Sequence, residues 1–279
     1  MESTKFNALV RLLEDEDPEV ALQVEQELIS QGLELIARLE EAWENTEDKR
    51  IQKRLLDIMQ MIQRKDTIDD LKEWRLKGGA DLLEGWYLVT RFQYPNLDLT
   101  PFRNKINRIT HRTWLMMRSD MGTAERLMAL NRMLFTKERF KANQRSMHNP
   151  NDYFLHTFME KRQGTPLSLG FLYLLVAQEL DLPVGGVVVP GYFVAIAQDG
   201  KSEFYIDVFN RGAFFVRKDL TRFLTDMSLE DNPKYYQPKS KIFLVLELVK
   251  SLVQAYRVRE DEETAEAFEM LLRQISLED

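Results

Sequence analysis

The chain contains no cysteine. That removes disulfides, thiolate metal sites and any thiol nucleophile in one step. It has three histidines, His111, His148 and His156, scattered rather than spaced as a ligand set. Asp66, Asp69 and Asp70 lack the glycine and the distal glutamate of a calcium loop. There is no phosphate-binding glycine loop and no dinucleotide glycine motif. Neither a metal nor a cofactor is expected. Long apolar runs are missing too: Leu169 to Ala177 is the longest candidate, against the roughly 20 residues a membrane span needs. Glu14, Asp15, Glu16 and Asp17 interrupt any signal-like segment near the start, so a cytoplasmic protein is expected. The net charge of -7 argues against nucleic acid and anionic membranes as partners, because both need a positive face.

What is present suits a soluble globular protein. At 279 residues, 44% hydrophobic and 30% charged, the chain can fill one large or two modest domains. Its first part reads as helices. Asp17 before Pro18 is a helix start, followed by Val20, Leu22, Val24, Leu28 and Ile29 and a stop near Gly32. Leu33, Ile36, Leu39 and Trp43 repeat at helical spacing, and so do Ile51, Leu55, Ile58 and Ile62 after the polar break from Asn45 to Asp48. Short helices with an Asp-Pro start and a glycine between partners resemble HEAT-like units, and a plain helical bundle fits the same pattern.

More helices follow: Ala80 to Phe92, then Thr100 to about Met117, with the turn Tyr94-Pro95-Asn96 between them. A third is expected over Thr123 to Phe135, capped by Thr123. Arg103, Lys105, Arg108, His111 and Arg112 form a basic helix face, either simply solvated or open to an acidic protein partner. Thr165 caps the next helix, with Pro166 at its first position. That helix is apolar almost all round and should be buried. Val187, Val188 and Val189 favour a strand. Asp199-Gly200 offers a two-residue hairpin turn, which would set Tyr192 directly across from Asp207. Two closing helices, about Ile242 to Val253 and Glu262 to Ile275, resemble a single tetratricopeptide-like hairpin.

Several ordered motifs carry a second resemblance. They are Tyr153-Phe154-Leu155, Glu160 to Leu169 (EKRQGTPLSL), Leu182-Pro183-Val184, Pro190-Gly191-Tyr192-Phe193 and Ile206 to Gly212 (IDVFNRG). Together they resemble the transglutaminase-like core of the SirB-type bacterial family, which also occurs in some F-box proteins. The resemblance implies a predominantly helical α+β fold. Residues 1–66 would be HEAT-like helices and 67–150 a helical region of SirB type. Residues 151–225 would be a transglutaminase-like, papain-like core with a small antiparallel sheet, and 226–279 a helical hairpin.

In that superfamily a Cys at a helix start is the nucleophile, a His on the next strand is its base, and an Asp on the following strand orients the His. Free amides and the dipole at a helix N-terminus stabilise a thiolate and an oxyanion. The imidazole must reach the sulfur and be held in one tautomer. Here Ser168 falls at the nucleophile position, as is usual in the SirB-type family, and Tyr192 stands where that family shows His. A phenol with an ordinary pKa of about 10 is a poor base at neutral pH. Asp207 matches the Asp, and Asn210 and Gly212 match the residues after it, with Val208 and Arg211 departing from the pattern.

The resemblance therefore implies a catalytically silent relative that binds a protein or peptide, with Thr165, Ser168, Tyr192, Asp207 and Asn210 at the contact region and a possible regulatory role. One alternative is a serine-dependent amidase or protease-like hydrolase using Ser168 and Asp207, with His156 as base. Another is a purely structural helical scaffold.

Overall fold

The computed structural model describes residues 2–13, 15, 17–144, 148–200 and 202–276. The chain forms two compact units, Met1–Lys72 with Arg91–Asn96, and Glu73–Thr90 with Leu97–Asp279.

The first unit holds helices α1 (Ser3–Leu12), α2 (Pro18–Ser30), α3 (Ile36–Asn45) and most of α4 (Lys49–Leu76). The Asp17 side chain accepts a hydrogen bond from the Glu19 amide at 2.9 Å, the cap expected before Pro18. Phe6, Val24, Leu28, Leu39, Leu55, Ile58 and Ile62 bury together as the core of this unit. These are the apolar stripes that the 3.6-residue spacing marks out. The expected boundary at residue 66 falls inside α4. There Asp66 and Asp70 take Arg91, at 3.2 Å and 2.5 Å. Burial first, and then the Asp70 charge, pushes the Asp66 carboxyl above its usual range.

The second unit carries the end of α4 and the remaining elements, except the last three residues of α5, which belong to the first. Helix α5 (Leu82–Gln93) starts at Asp81, whose carboxylate accepts from the Leu83 and Glu84 amides at 2.9 Å and 3.1 Å. Helix α6 (Thr100–Trp114) ends three residues before the expected Met117. Its basic face is largely committed inside the molecule: Arg103 pairs with Asp81 at 2.7 Å, Arg112 pairs with Glu138, and the Lys105 ammonium donates to the Met159 carbonyl at 2.5 Å.

The expected helix over Thr123 to Phe135 is α-helical as α7 (Thr123–Asn131), with Gly122 rather than Thr123 at the cap position. The Glu125 carboxylate reaches back to the Gly122 amide at 2.9 Å. The helix then widens into a π-helical turn over Arg132–Lys137, with the Glu138 amide bonding five residues back to the Met133 carbonyl at 2.8 Å.

The two-residue strands β1 (Lys141–Ala142) and β2 (Gln163–Gly164) pair in parallel on either side of α8 (Leu155–Lys161). Helix α9 (Pro166–Glu179) is buried from Pro166 to Ala177. A sheet of β3 (Val184–Val189), β4 (Tyr192–Asp199), β5 (Ser202–Asp207) and β6 (Ala213–Phe215) follows, in sequential antiparallel order. Helices α10 (Arg217–Asp226), α11 (Lys241–Val258) and α12 (Glu262–Ser276) complete the chain. The fold is α+β and predominantly helical, with one small antiparallel sheet. No helix of the described residues is long and apolar enough to cross a membrane.

The β4–β5 register departs from expectation by two positions. Ala195 faces Ile206, not Phe204, and Asp199 pairs with Ser202. Gly200, at φ +60°, takes the first place of the connection instead of the second. A Gly-first turn needs a positive φ only there, and it suits a right-twisted hairpin as well as Asp-Gly does. Lys201 lies outside the described residues.

Alternation along β4 divides the sheet into two faces. Phe193 turns toward α9, where its ring lies against Gly170 and Gly186. A Cβ at Gly170 would stand 2.3 Å from that ring, so helix and strand approach each other only because the position has no side chain. Val194 and Ile196 turn the other way, into a cluster with Leu220 and Leu224 of α10 and with Tyr236.

Candidate functional site

The start of α9 is a closed hydrogen-bond circuit. Thr165 is the cap, and its hydroxyl oxygen accepts from the Ser168 amide at 3.2 Å. The Ser168 hydroxyl donates to the Asp152 carbonyl at 2.5 Å. Its one proton is then used, so Thr165 is the donor in the 2.8 Å contact between the two hydroxyls. Ser168 is 0% exposed and Thr165 1%. The Asp152 side chain is buried as well and accepts from the Asn143 amide group at 2.5 Å. Ser168 thus fastens the helix start to the Asp152 turn. It is buried from solvent, and among the described residues its hydroxyl has no hydrogen bond to a His, Lys, Asp or Glu side chain.

His156 does not supply that base. Its Nε2 lies 3.1 Å from the Thr157 hydroxyl, and its ring lies against Phe154. Burial, the largest influence, pushes its pKa below the usual imidazole value.

Tyr192 and Asp207 do meet. The Tyr192 hydroxyl donates to Asp207 Oδ1 at 2.8 Å. The same oxygen accepts from the Phe209 and Asn210 amides, each at 3.1 Å, and Oδ2 accepts from the Asn210 side chain at 3.3 Å. Asn210 therefore closes the turn after β5 together with Asp207, and the Gly212 amide donates to the Asp207 carbonyl at 2.8 Å. The Tyr192 ring packs on Phe209 and Phe223 at centroid distances of 5.9 Å and 5.4 Å. Burial first, and then the Asp207 charge, raises the phenol pKa far above its usual value. Tyr192 is a fixed hydrogen-bond donor at any pH near neutral.

These groups do not form one catalytic constellation. Tyr192 shares a strand face with Val194 and packs on Phe223 of α10, whereas Ser168 belongs to α9 on the opposite face, with Phe193 turned toward it. Ser168 and Tyr192 take different partners, the Asp152 carbonyl and the Asp207 carboxylate, and the pleat sends Tyr192 and Phe193 to opposite sides of the strand.

A small cleft of about 70 Å³ opens at the mouth of this region. Thr165, Pro166 and Leu167 at the start of α9, Val188 and Val189 at the end of β3, and Gly191 to Phe193 form two walls. Tyr153 and, from α11, Glu247 and Ser251 form the third. Thr165 and Tyr192 are thus brought to one cleft. Ser168, Asp207 and Asn210 support its walls without lining it.

Sequence reasoning did not select Glu247 and Ser251. Their only local signal is a pair of polar residues four apart on a helix whose buried face includes Leu244, Leu248 and Leu252. The Ser251 hydroxyl donates to the Glu247 carbonyl at 2.7 Å, and the Glu247 carboxylate takes Lys250 at 2.7 Å. Burial, partly offset by a Ser251 hydrogen bond, pushes the Tyr153 phenol up to about 12. Among the described residues no group of three or more Asp, Glu or His side chains is placed to hold a metal.

Residues 100–249, from α6 into α11, match the family model described as the transglutaminase-like superfamily. A UPF0162 protein of Xylella fastidiosa is 28% identical over 129 residues, covering 45% of this chain and 44% of that protein. A UPF0162 protein of Vibrio cholerae is 22% identical over 131 residues, 47% of this chain and 48% of that one. Human F-box only protein 21 is 30% identical over 82 residues, 29% of this chain and 13% of that protein. The chain spans less than half the length of these curated relatives. No solved structure matches it significantly.

Proposed function

We propose that the chain, which belongs to the transglutaminase-like superfamily, binds a protein or peptide segment at the Tyr192 cleft and performs no acyl transfer. The observation that carries this reading is the placement of the three degenerate positions. The Tyr192–Asp207 pair lies on the α10 face, and the Ser168 hydroxyl is spent on the Asp152 carbonyl at the start of α9. Nucleophilic catalysis needs a nucleophile and a base within hydrogen-bond reach of each other. The SirB-type affiliation read from Pro190 to Phe193 and from Ile206 to Gly212, and a regulatory role for the bound complex, are part of the same proposal.

The cleft walls suit a binding role. They combine apolar surface from Pro166, Leu167 and Val188 with convergent polar groups from Tyr153, Ser251 and Glu247, the usual composition of a recognition site. The serine-hydrolase reading lacks support, because Ser168 is fully buried.

Two measurements test the proposal. The purified chain should turn over no amide, ester or glutamine-donor substrate and should take no label from a fluorophosphonate probe. A photo-crosslinking residue at Val188 should trap a defined partner in the native cell, and Glu247→Ala should abolish that trap. Turnover that disappears in Asp207→Ala would overturn the reading.

A further inference from the structure

A cavity of about 230 Å³ lies within the first unit, away from every residue discussed for catalysis. Its floor is apolar. Met59 and Phe92 are almost buried, and Leu56 on the same helix as Met59 is 42% exposed. Around the floor stand the carboxamides of Gln60, Gln63 and Gln93. None of the three side chains has a hydrogen-bond partner among the described residues; Gln60 is exposed, Gln63 and Gln93 are half-buried, and of their polar atoms the Gln93 Oε1 is buried without a donor. At the rim stand the exposed Glu40 carboxylate, which makes no ion pair with any described residue, and Arg64, whose guanidinium lies over the Phe92 ring at 5.2 Å and so is turned to the floor.

Buried polar atoms are almost always paired, and an unpaired one calls for a missing partner. A side-chain carboxamide offers donors and an acceptor together, and its chemical complement is another amide. Gln60 and Gln63 are one helical turn apart on α4, so they present their amides in a row. A row suits an extended chain better than a single small molecule. The terminal torsion of glutamine is soft, so Gln93 can turn its Oε1 toward the cavity to meet an N–H. The exposed Leu56 and the unpaired Glu40 add two side-chain preferences, one apolar and one cationic. In an extended segment, residues two apart point to the same side.

We propose that this cavity binds an extended peptide segment carrying an aliphatic residue and, two positions on, a lysine or arginine. Peptide amides pair with Gln60, Gln63 and Gln93, the aliphatic side chain rests on Met59 and Leu56, and the cation meets Glu40. The site does not rest on the Tyr192 cleft.

The test uses the full chain with acetylated, amidated hexapeptides built around Leu-Ala-Lys, followed by NMR of the glutamine side-chain amides and the Met59 methyl group. The peptide should shift the Met59, Gln63 and Gln93 signals. Gln93→Leu and Gln63→Ala should each weaken binding about tenfold, and Glu40→Gln should remove its salt dependence. N-methylation of the central peptide bonds should weaken binding to the unaltered chain, a readout that survives if a variant fails to fold. Absence of binding at millimolar peptide, equal affinity for the N-methylated peptide, or equal binding of acetamide and free lysine would each overturn the site.

Discussion

The Tyr192 hydroxyl reaches Asp207 Oδ1 at 2.8 Å even though the two residues are not opposite each other on the hairpin. With Ala195 facing Ile206, continuing the register puts Asp207 across from Val194, one diagonal step from Tyr192. Diagonal neighbours share a face, and a long aromatic side chain spans them. The bond holds the loop after β5 onto the end of β4. Tyr192→Phe should therefore cost about 1–2 kcal/mol of unfolding free energy. The loss stays modest because the Phe209 and Asn210 amides still hold the carboxylate. Urea titrations of the two proteins would measure it, and a cost near zero would show that the phenol is not needed there.

The helix start gives a second expectation. Thr165→Ala removes both the acceptor for the Ser168 amide and the donor to the Ser168 hydroxyl. Cap removal costs about 1 kcal/mol, and an unsatisfied buried group adds to that, so a loss of about 2 kcal/mol is expected. Thr165→Ser keeps both bonds and should recover most of it. Equal stability of the alanine and serine variants would contradict the circuit.

What could be read from the sequence was local. Thr165-Pro166 announces a helix start because cap and proline act within one turn, and a run apolar on every side announces burial. The β4–β5 register was not legible, since Asp199-Gly200 and a Gly200-first connection are one residue apart and chemically similar. The Tyr192–Asp207 contact survived the error because a shift of two keeps every side chain on its face. The separation of Ser168 from Tyr192 was missed because family motifs order residues along the chain without stating which way each one points. Glu247 and Ser251 reach the cleft from a helix far along the chain, and no local pattern announces such a contact.

The approach of α9 to the sheet sets a third expectation. Alanine in a helix is ordinarily better than glycine by about 1 kcal/mol. At Gly170 the new methyl would sit 2.3 Å from the fully buried Phe193 ring. Overpacking of this kind costs about 1–3 kcal/mol, so Gly170→Ala should lower the melting temperature despite its better propensity. A rise in Tm would mean that the Phe193 ring can move aside.

Alkaline stability should bend downward because of the buried phenols. Tyr153 is raised from 10.0 to about 12, and Tyr192 is raised further. A phenol with a raised folded pKa keeps its proton in the native state while the unfolded chain releases it. Between about pH 10 and 12 the native state binds more protons, so stability falls as pH rises, by about 1.4 kcal/mol per pH unit for each such group. Below pH 10 these groups add no slope. Tyr153→Phe and Tyr192→Phe should each flatten the decline in urea titrations run from pH 8.5 to 12. An unchanged slope in both variants would place the titration elsewhere.

Restoring the superfamily's reagents should not restore its chemistry. The double variant Ser168→Cys/Tyr192→His supplies the sulfur and the imidazole in one protein. The thiol would inherit a 0% exposed position, where the native hydroxyl points at the Asp152 carbonyl. Burial away from water, with a carbonyl oxygen aimed at the sulfur, disfavours the thiolate. The imidazole would inherit the α10 face, beside Asp207 and between Phe209 and Phe223. General-base activation requires approach to about 3 Å, and the native side chains at these positions are held on different partners, the Asp152 carbonyl and Asp207. The double variant should therefore stay inert toward amide and ester substrates and toward iodoacetamide at neutral pH. Rapid alkylation, or ester turnover lost on Asp207→Ala, would mean that the two positions meet in solution and that the silent site is two substitutions from catalysis.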